Sequence, residues 1–221
     1  MKNINTFDVI GPNMIGPSSS HTAGAVRIAR LARKIANGRV VSAIFTLYGS
    51  FALTFRGHGT DRALVAGILG HNPDDYAVAD AFDRAAAANL QYAFIADVDK
   101  SVAHPNTVDI LITRSDGKQT RLTAVSLGGG AVEIREINGI DVNITGHEPT
   151  LFIIQKNVPA VAAHITQCIG ENQINIATMS IYTDDTGHFA YTIIETNSPV
   201  TDEIVDKIRA LESIVDVMSI N

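Results

Sequence analysis

From Ala23 to Ala36 the apolar residues Val26, Ile28, Ala29, Leu31, Ala32 and Ile35 recur at helical spacing, with Arg27, Arg30, Arg33 and Lys34 between them. That is the pattern of an amphipathic helix, and Asn37-Gly38 ends it. Val40 to Tyr48, rich in Val, Ile and Phe, reads as a strand closed by Gly49-Ser50. A helix comes next over Ala63 to Leu69, with Thr60 or Asp61 placed to cap it, then a turn at Asn72 to Tyr76 and an Ala-rich helix over Ala79 to Asn89. Phe94 to Val98 and Val108 to Arg114 read as strands. Hairpin turns at Asp116-Gly117 and Asn138-Gly139 link Val108 to Arg114 with Gln119 to Ser126, and Ala131 to Ile137 with Ile140 to Thr145. Gly128-Gly129-Gly130, lying between two strands, reads as a bulge or tight bend.

Gly146-His147-Glu148-Pro149 breaks this pattern and sets a domain boundary, dividing the chain into residues 1–147 and 148–221. The second part alternates strictly: strand Thr150 to Gln155, helix Pro159 to Asn172, strands Ile176 to Thr183 and His188 to Glu195, helix Asp202 to Leu211, strand Ile214 to Ile220. The order βαββαβ predicts a ferredoxin-like fold. The expected class is therefore α+β, a mixed α/β domain succeeded by a ferredoxin-like one.

The net charge of −6 gives no footprint for nucleic acid, and the basic cluster at 27 to 34 is too short to supply one. No run of about 18 apolar residues offers a membrane span, and Met1 to Asn5 has no signal-peptide core. The expected location is the cytoplasm. One cysteine, Cys168, excludes an internal disulfide and any zinc or iron–sulfur site built from the chain's own cysteines. His164 and Cys168, four apart, read as a pair on one helix face. Residues 5 to 15, broken by Gly11-Pro12, read as an approach segment to a serine-rich loop.

That loop, Gly16-Pro17-Ser18-Ser19-Ser20-His21-Thr22-Ala23-Gly24, puts hydroxyls and an imidazole at a helix start. Unpaired amides and partial positive charge collect carboxylates and phosphates there. His21 can exchange a proton near neutral pH, as a general base must. The same serines also serve as ordinary caps. Two similar groups lie further along: Gly57-His58-Gly59-Thr60-Asp61 ahead of a helix, and His104-Pro105-Asn106-Thr107 ahead of a strand. Three readings stay open from the residues alone: an enzyme subunit, an amino-acid-sensing regulatory module, or a hydrolase with His21, His58 and His104 on zinc. None of the six lysines falls inside the histidine motifs, which disfavours pyridoxal phosphate.

Taken together, Ser19-Ser20-His21-Thr22, His58-Gly59-Thr60-Asp61, His104-Pro105-Asn106 and the βαββαβ unit resemble the beta subunit of iron–sulfur-dependent L-serine dehydratases. The resemblance covers nearly the whole chain. It makes the first domain similar to the allosteric-substrate-binding type also found in some phosphoglycerate dehydrogenases, and the second similar to an ACT domain. The implied reaction is loss of water from L-serine, giving pyruvate and ammonia. The implied partner is an alpha subunit that holds a 4Fe-4S cluster, whose iron polarises the departing hydroxyl, with no metal on this chain. By the same resemblance His21 takes the Cα proton, Ser19, Ser20 and Thr22 hold the carboxylate, and His58, Thr60, Asp61, His104 and Asn106 complete the pocket or orient His21. An ACT domain further implies an effector loop at Asn157-Val158-Pro159 and self-association. Such loops often carry glycine at the helix start, where this chain has Ala160.

Overall fold

A computed structural model describes residues 13–220, so most of the 5 to 15 approach segment lies outside the described residues. The chain divides into two compact units, Met1–Thr145 and Gly146–Asn221.

In the first unit a turn over Ser19–Gly24 leads into α1, Ala25–Ala36, and then β1, Val40–Tyr48. Next come α2, Gly49–Thr54; α3, Thr60–Leu69; and α4, Ala81–Ala87. Five strands complete it: β2, Gln91–Asp97; β3, Asn106–Arg114; β4, Gln119–Gly128; β5, Ala131–Ile137; and β6, Ile140–Ile144. They form a six-stranded sheet in the order β2-β1-β3-β4-β5-β6. Only the β1 and β2 pair is parallel. Alternation aims Phe45, Leu47, Ile110, Ile112, Leu122 and Ala124 to one face, where all are fully buried. The apolar stripe of α1 meets β3, β4 and β5, and α3 packs in turn on α1. That second contact is close because α3 carries Gly67, where a Cβ would stand 2.6 Å from the Ala29 methyl.

Four sequence expectations change here. Gly49-Ser50 does not merely close a strand: it begins the helix α2, whose leading amides, Ser50 N and Phe51 N, donate to the Pro105 carbonyl at 2.7 and 3.4 Å. The helix expected from Ala23 is preceded by one wide π turn, closed by Ala23 N donating to Ser18 O at 3.3 Å. Neither Thr60 nor Asp61 caps α3 through its side chain: Gly59, at φ 68°, occupies the cap, and the Thr60 side chain is fully buried. The Ala79 to Asn89 helix is cut back, because Asp75 accepts from Ala77 N and organises a separate 3-10 turn over Tyr76–Val78.

The second unit runs β7, Thr150–Lys156; α5, Val161–Glu171; β8, Ile176–Thr183; β9, Phe189–Thr196; α6, Asp202–Arg209; and β10, Ile214–Ile220. The sheet order β10-β7-β9-β8 is antiparallel throughout. This is the ferredoxin-like arrangement that the βαββαβ order predicts. Leu151, Ile153, Ile194 and Val217 from the sheet pack with Val161, Ile165, Ile169, Ile204 and Ile208 from the two helices. Ala160 precedes α5 with φ 71°, holding a left-handed conformation although it is not glycine.

Candidate active site

Antiparallel pairing brings three distant segments to one end of the first sheet. Tyr48, closing β1, pairs with Thr107 near the start of β3, and Thr107 pairs with Val125 near the end of β4. The loops around Gly49, His104 and Ser126 therefore share an edge, and the Ser19–Gly24 turn packs on β4 beside them.

His21 sits at the centre, 8% exposed. Ser18 is the cap of its turn, and its Oγ accepts from His21 N at 3.1 Å. Nδ1 lies 3.0 Å from Ser20 Oγ, and Nε2 lies 3.0 Å from Ser50 Oγ. A neutral imidazole has one donor and one acceptor nitrogen, so one of these hydroxyls donates to the ring and the other accepts from it. Phe51 and His58 meet the ring edge-on, with centroids 5.2 and 4.7 Å away. Burial, then the nearby His58, hold the His21 pKa below its ordinary value. At neutral pH the ring is uncharged and able to accept a proton.

Hydrogen bonds tie the three histidine motifs together. Thr22 Oγ1 donates to the His58 carbonyl at 2.9 Å, joining the first motif to the second. Asn106 Nδ2 donates to the Ser126 carbonyl at 3.4 Å, and Ser126 Oγ donates to the Ser20 carbonyl at 2.9 Å, joining the third to the first. Asn106 N donates to His104 Nδ1 at 3.2 Å, so neutral His104 carries its proton on Nε2. The buried atoms Thr60 Oγ1 and Asn106 Oδ1 have no hydrogen-bond partner among the described residues. Such atoms are costly unless something else meets them. Burial pushes the Asp61 carboxyl up, against the opposing hydrogen bond from the Arg62 amide at 2.8 Å. Ser19 opens the turn, half-buried.

Ser18, Ser20 and Ser50 thus bond to His21, and Ser126 holds the Ser20 backbone. Ser18 and Ser20 fall among the candidate caps in the sequence, whereas Ser50 and Ser126 stand at strand ends with nothing to mark them but a preceding Gly49 and a glycine run shortly after. Among the described residues no three His, Cys, Asp or Glu side chains group as metal ligands. Both ring nitrogens of His21 are already engaged by serines, which is a poor start for a three-histidine zinc site.

The profile of the family described as "Serine dehydratase beta chain" matches residues 6–136, and that of the ACT domain matches residues 150–213. The chain belongs to the serine dehydratase beta chain family. It is 37% identical over 220 residues to the "Probable L-serine dehydratase, beta chain" of Bacillus subtilis, covering 100% of this chain and 99% of that one. Against the "L-serine dehydratase, beta chain" of Peptoniphilus asaccharolyticus it is 36% identical over 212 residues, 96% of each. The "L-serine dehydratase" of Streptomyces coelicolor is longer: identity is 31% over 161 residues, 62% of this chain and 35% of that protein.

The cluster implied by the resemblance calls for several thiolates, and this chain has one. Cys168 is buried on α5 with Sγ 3.7 Å from His164 Nε2, and burial pushes its thiol up. The residues of this chain do not fit a cluster. In the ACT unit, Asn157 ties its loop to the β8 and β9 hairpin, N donating to His188 O at 2.9 Å and Nδ2 to Gly187 O at 3.1 Å. Val158 is 46% exposed.

Proposed function

We propose that this chain is the beta subunit of an L-serine dehydratase, a lyase that removes water from L-serine and yields pyruvate and ammonia together with an alpha subunit. Its similarity, end to end, to beta chains of that name carries the reading. In this reading His21, neutral and enclosed, is the base that takes the Cα proton, a step worth about two to four orders of magnitude in rate. Ser19 and Ser20 bind the substrate carboxylate beside the helix start, whereas Thr22, read from the sequence as a third carboxylate donor, has its one hydroxyl proton committed to the His58 carbonyl and holds the two loops together. Thr60 and Asn106 turn their free buried oxygens toward polar groups of the substrate, while His58, Asp61 and His104 complete the wall.

The 4Fe-4S cluster belongs to the alpha subunit, where it supplies Lewis acidity. A cytoplasmic location suits that partner, since thiolate-held clusters call for a reducing compartment. The ACT unit serves self-association, and the loop at Asn157, Val158 and Pro159 is its place for an effector. A purely sensing module and a zinc hydrolase are not favoured, because the full-length relatives carry the name of an enzyme chain.

The experiment is co-expression with an alpha subunit, anaerobic purification and a serine-to-pyruvate assay. His21→Ala is expected to lower kcat by roughly 10²- to 10⁴-fold with KM little changed. Failure of the assembled pair to form pyruvate from L-serine overturns the reading, and a His21→Ala effect on KM alone moves the base to another histidine.

A further inference from the structure

His21 is enclosed on every polar atom of its ring: Nδ1 meets Ser20 Oγ and Nε2 meets Ser50 Oγ, each at 3.0 Å. Each ring nitrogen is thus already met by a hydroxyl, through which a proton can be relayed to it. The two serines differ in their surroundings. Ser20 Oγ is shared with Ser18 Oγ at 3.4 Å, whereas Ser50 Oγ has no hydrogen-bond partner besides His21 among the described residues. Ser50 is also the more exposed of the Ser50 and His21 pair.

Its position is fixed from behind. Ser50 N donates to Pro105 O at 2.7 Å, Thr54 Oγ1 donates to Ser50 O at 2.7 Å, and Gly49 at φ 54° lets the Pro105 backbone close in. A hydroxyl within hydrogen-bond reach of an imidazole, itself oriented through its other nitrogen by a third group, is the arrangement that activates serine in nucleophilic enzymes.

We infer that the Ser50 hydroxyl is the group that meets the Cα proton of the substrate, with His21 as the base behind it. The inference rests on the L-serine dehydratase reading above. The Ser50 oxygen takes the Cα proton as its own proton passes to His21 Nε2. The C–H electron pair becomes the Cα=Cβ bond, and the Cβ–O bond breaks with its pair going to hydroxide. The proton on the imidazolium returns through Ser50 to that hydroxide, which leaves as water, so both residues end as they began.

Two measurements test this. In the assembled enzyme Ser50→Ala is expected to lower kcat about as far as His21→Ala, roughly 10²- to 10⁴-fold, and the double variant to be no worse than the poorer single one. Ser50→Cys is expected to regain part of the rate, with a pH profile displaced because a thiol titrates near about 8.5. A Ser50→Ala loss under about tenfold, or losses that multiply in the double variant, overturns the inference while leaving the function intact. Independently of turnover, the isolated chain is treated with diisopropyl fluorophosphate and its peptides weighed. Ser50 is expected to be phosphorylated well ahead of exposed Ser115, and to lose that lead in His21→Ala. Equal labelling of the two serines overturns the inference. Selective labelling in a chain whose complex does not consume L-serine supports the activated hydroxyl and places the failure with the assigned reaction.

Discussion

Gly49 is where the architecture of the sheet and the chemistry of His21 meet, and substituting it puts a number on that link. A Cβ at Gly49 would lie 2.6 Å from the Pro105 carbonyl oxygen and 2.9 Å from its Cα, both backbone atoms that cannot swing aside. Gly49→Ala therefore carries two costs. A side chain in the left-handed region costs about 1–2 kcal/mol, less the roughly 0.4–1 kcal/mol gained because the unfolded chain loses freedom. Relieving the clash pushes α2 from Pro105 and weakens the Ser50 N to Pro105 O bond, worth about 0.5–1.5 kcal/mol, with packing losses on Phe51, which is fully buried. The expected total is about 2–4 kcal/mol. Gly117, at φ 81° with nothing within 4 Å of its Cβ, isolates the conformational part, so Gly117→Ala is expected to cost only about 1 kcal/mol. Urea unfolding of both variants measures the difference. In the assembled enzyme Gly49→Ala is also expected to lower kcat, since displacing α2 carries Ser50 away from His21, whereas Gly117→Ala leaves kcat alone. Equal stability losses in the two variants, or a large loss in Gly49→Ala with kcat untouched, would refute the claim that Pro105 positions Ser50.

The same geometry yields three further outcomes. His58→Gln removes the second cause of the depressed His21 pKa while leaving burial, the larger one, so the acid limb of kcat/KM is expected to move up only part of the way to 6.5. The folded state binds this proton less readily than the unfolded one, so stability is lost as pH falls below 6.5 toward the folded value, and less of it is lost in His58→Gln; pH-dependent urea unfolding reads both. Ala160→Gly relieves the left-handed strain at φ 71° and is expected to stabilise the ACT unit by about 0.5–1 kcal/mol; a destabilised variant in urea would contradict it. Thr60→Val deletes a buried hydroxyl with no partner among the described residues, so it is expected to raise stability by about 1 kcal/mol and raise KM for L-serine; an unchanged KM removes Thr60 from the pocket.

The second unit is the more legible of the two because its elements announce themselves locally. Its strands are short runs rich in β-branched residues and bounded by turn residues such as Asp184 to Gly187, and α6 shows an apolar stripe of Ile204, Val205 and Ile208 against Asp202, Glu203 and Lys207. In the first unit the long helix α1 and the strands β1, β3 and β5 are equally plain. The six residues of α2 are not: too short for any periodicity, they are helical because a carbonyl from Pro105, 55 positions beyond Ser50, accepts their leading amides. The cap at α3 fails for a related reason. Thr60 has the right chemistry for a cap, but Gly59 takes the turn at φ 68° and the threonine goes inward.

At the site, the sequence exposes residues whose type is unusual for their setting and hides those that become special only by pairing. Histidines flanked by glycine, serine or proline stand out along the chain, and the structure joins their loops through Thr22 to His58 and through Ser126 to Ser20. Ser50 and Ser126 are ordinary residues at ordinary strand ends. They acquire a role only because β1, β3 and β4 run alternately up and down, so that Tyr48, Thr107 and Val125 fall in one row and everything just beyond them converges. The register of an antiparallel sheet is set by burial of its apolar face, since a slip of one residue would expose Phe45, Ile110 and Leu122 together. The geometry around His21 is therefore enforced by the core. A mutation that shifted β1 against β3 by a residue would part Gly49 and Ser50 from Asn106 and Pro105 and carry Ser50 off Nε2, with the identity of every residue of the three motifs unchanged.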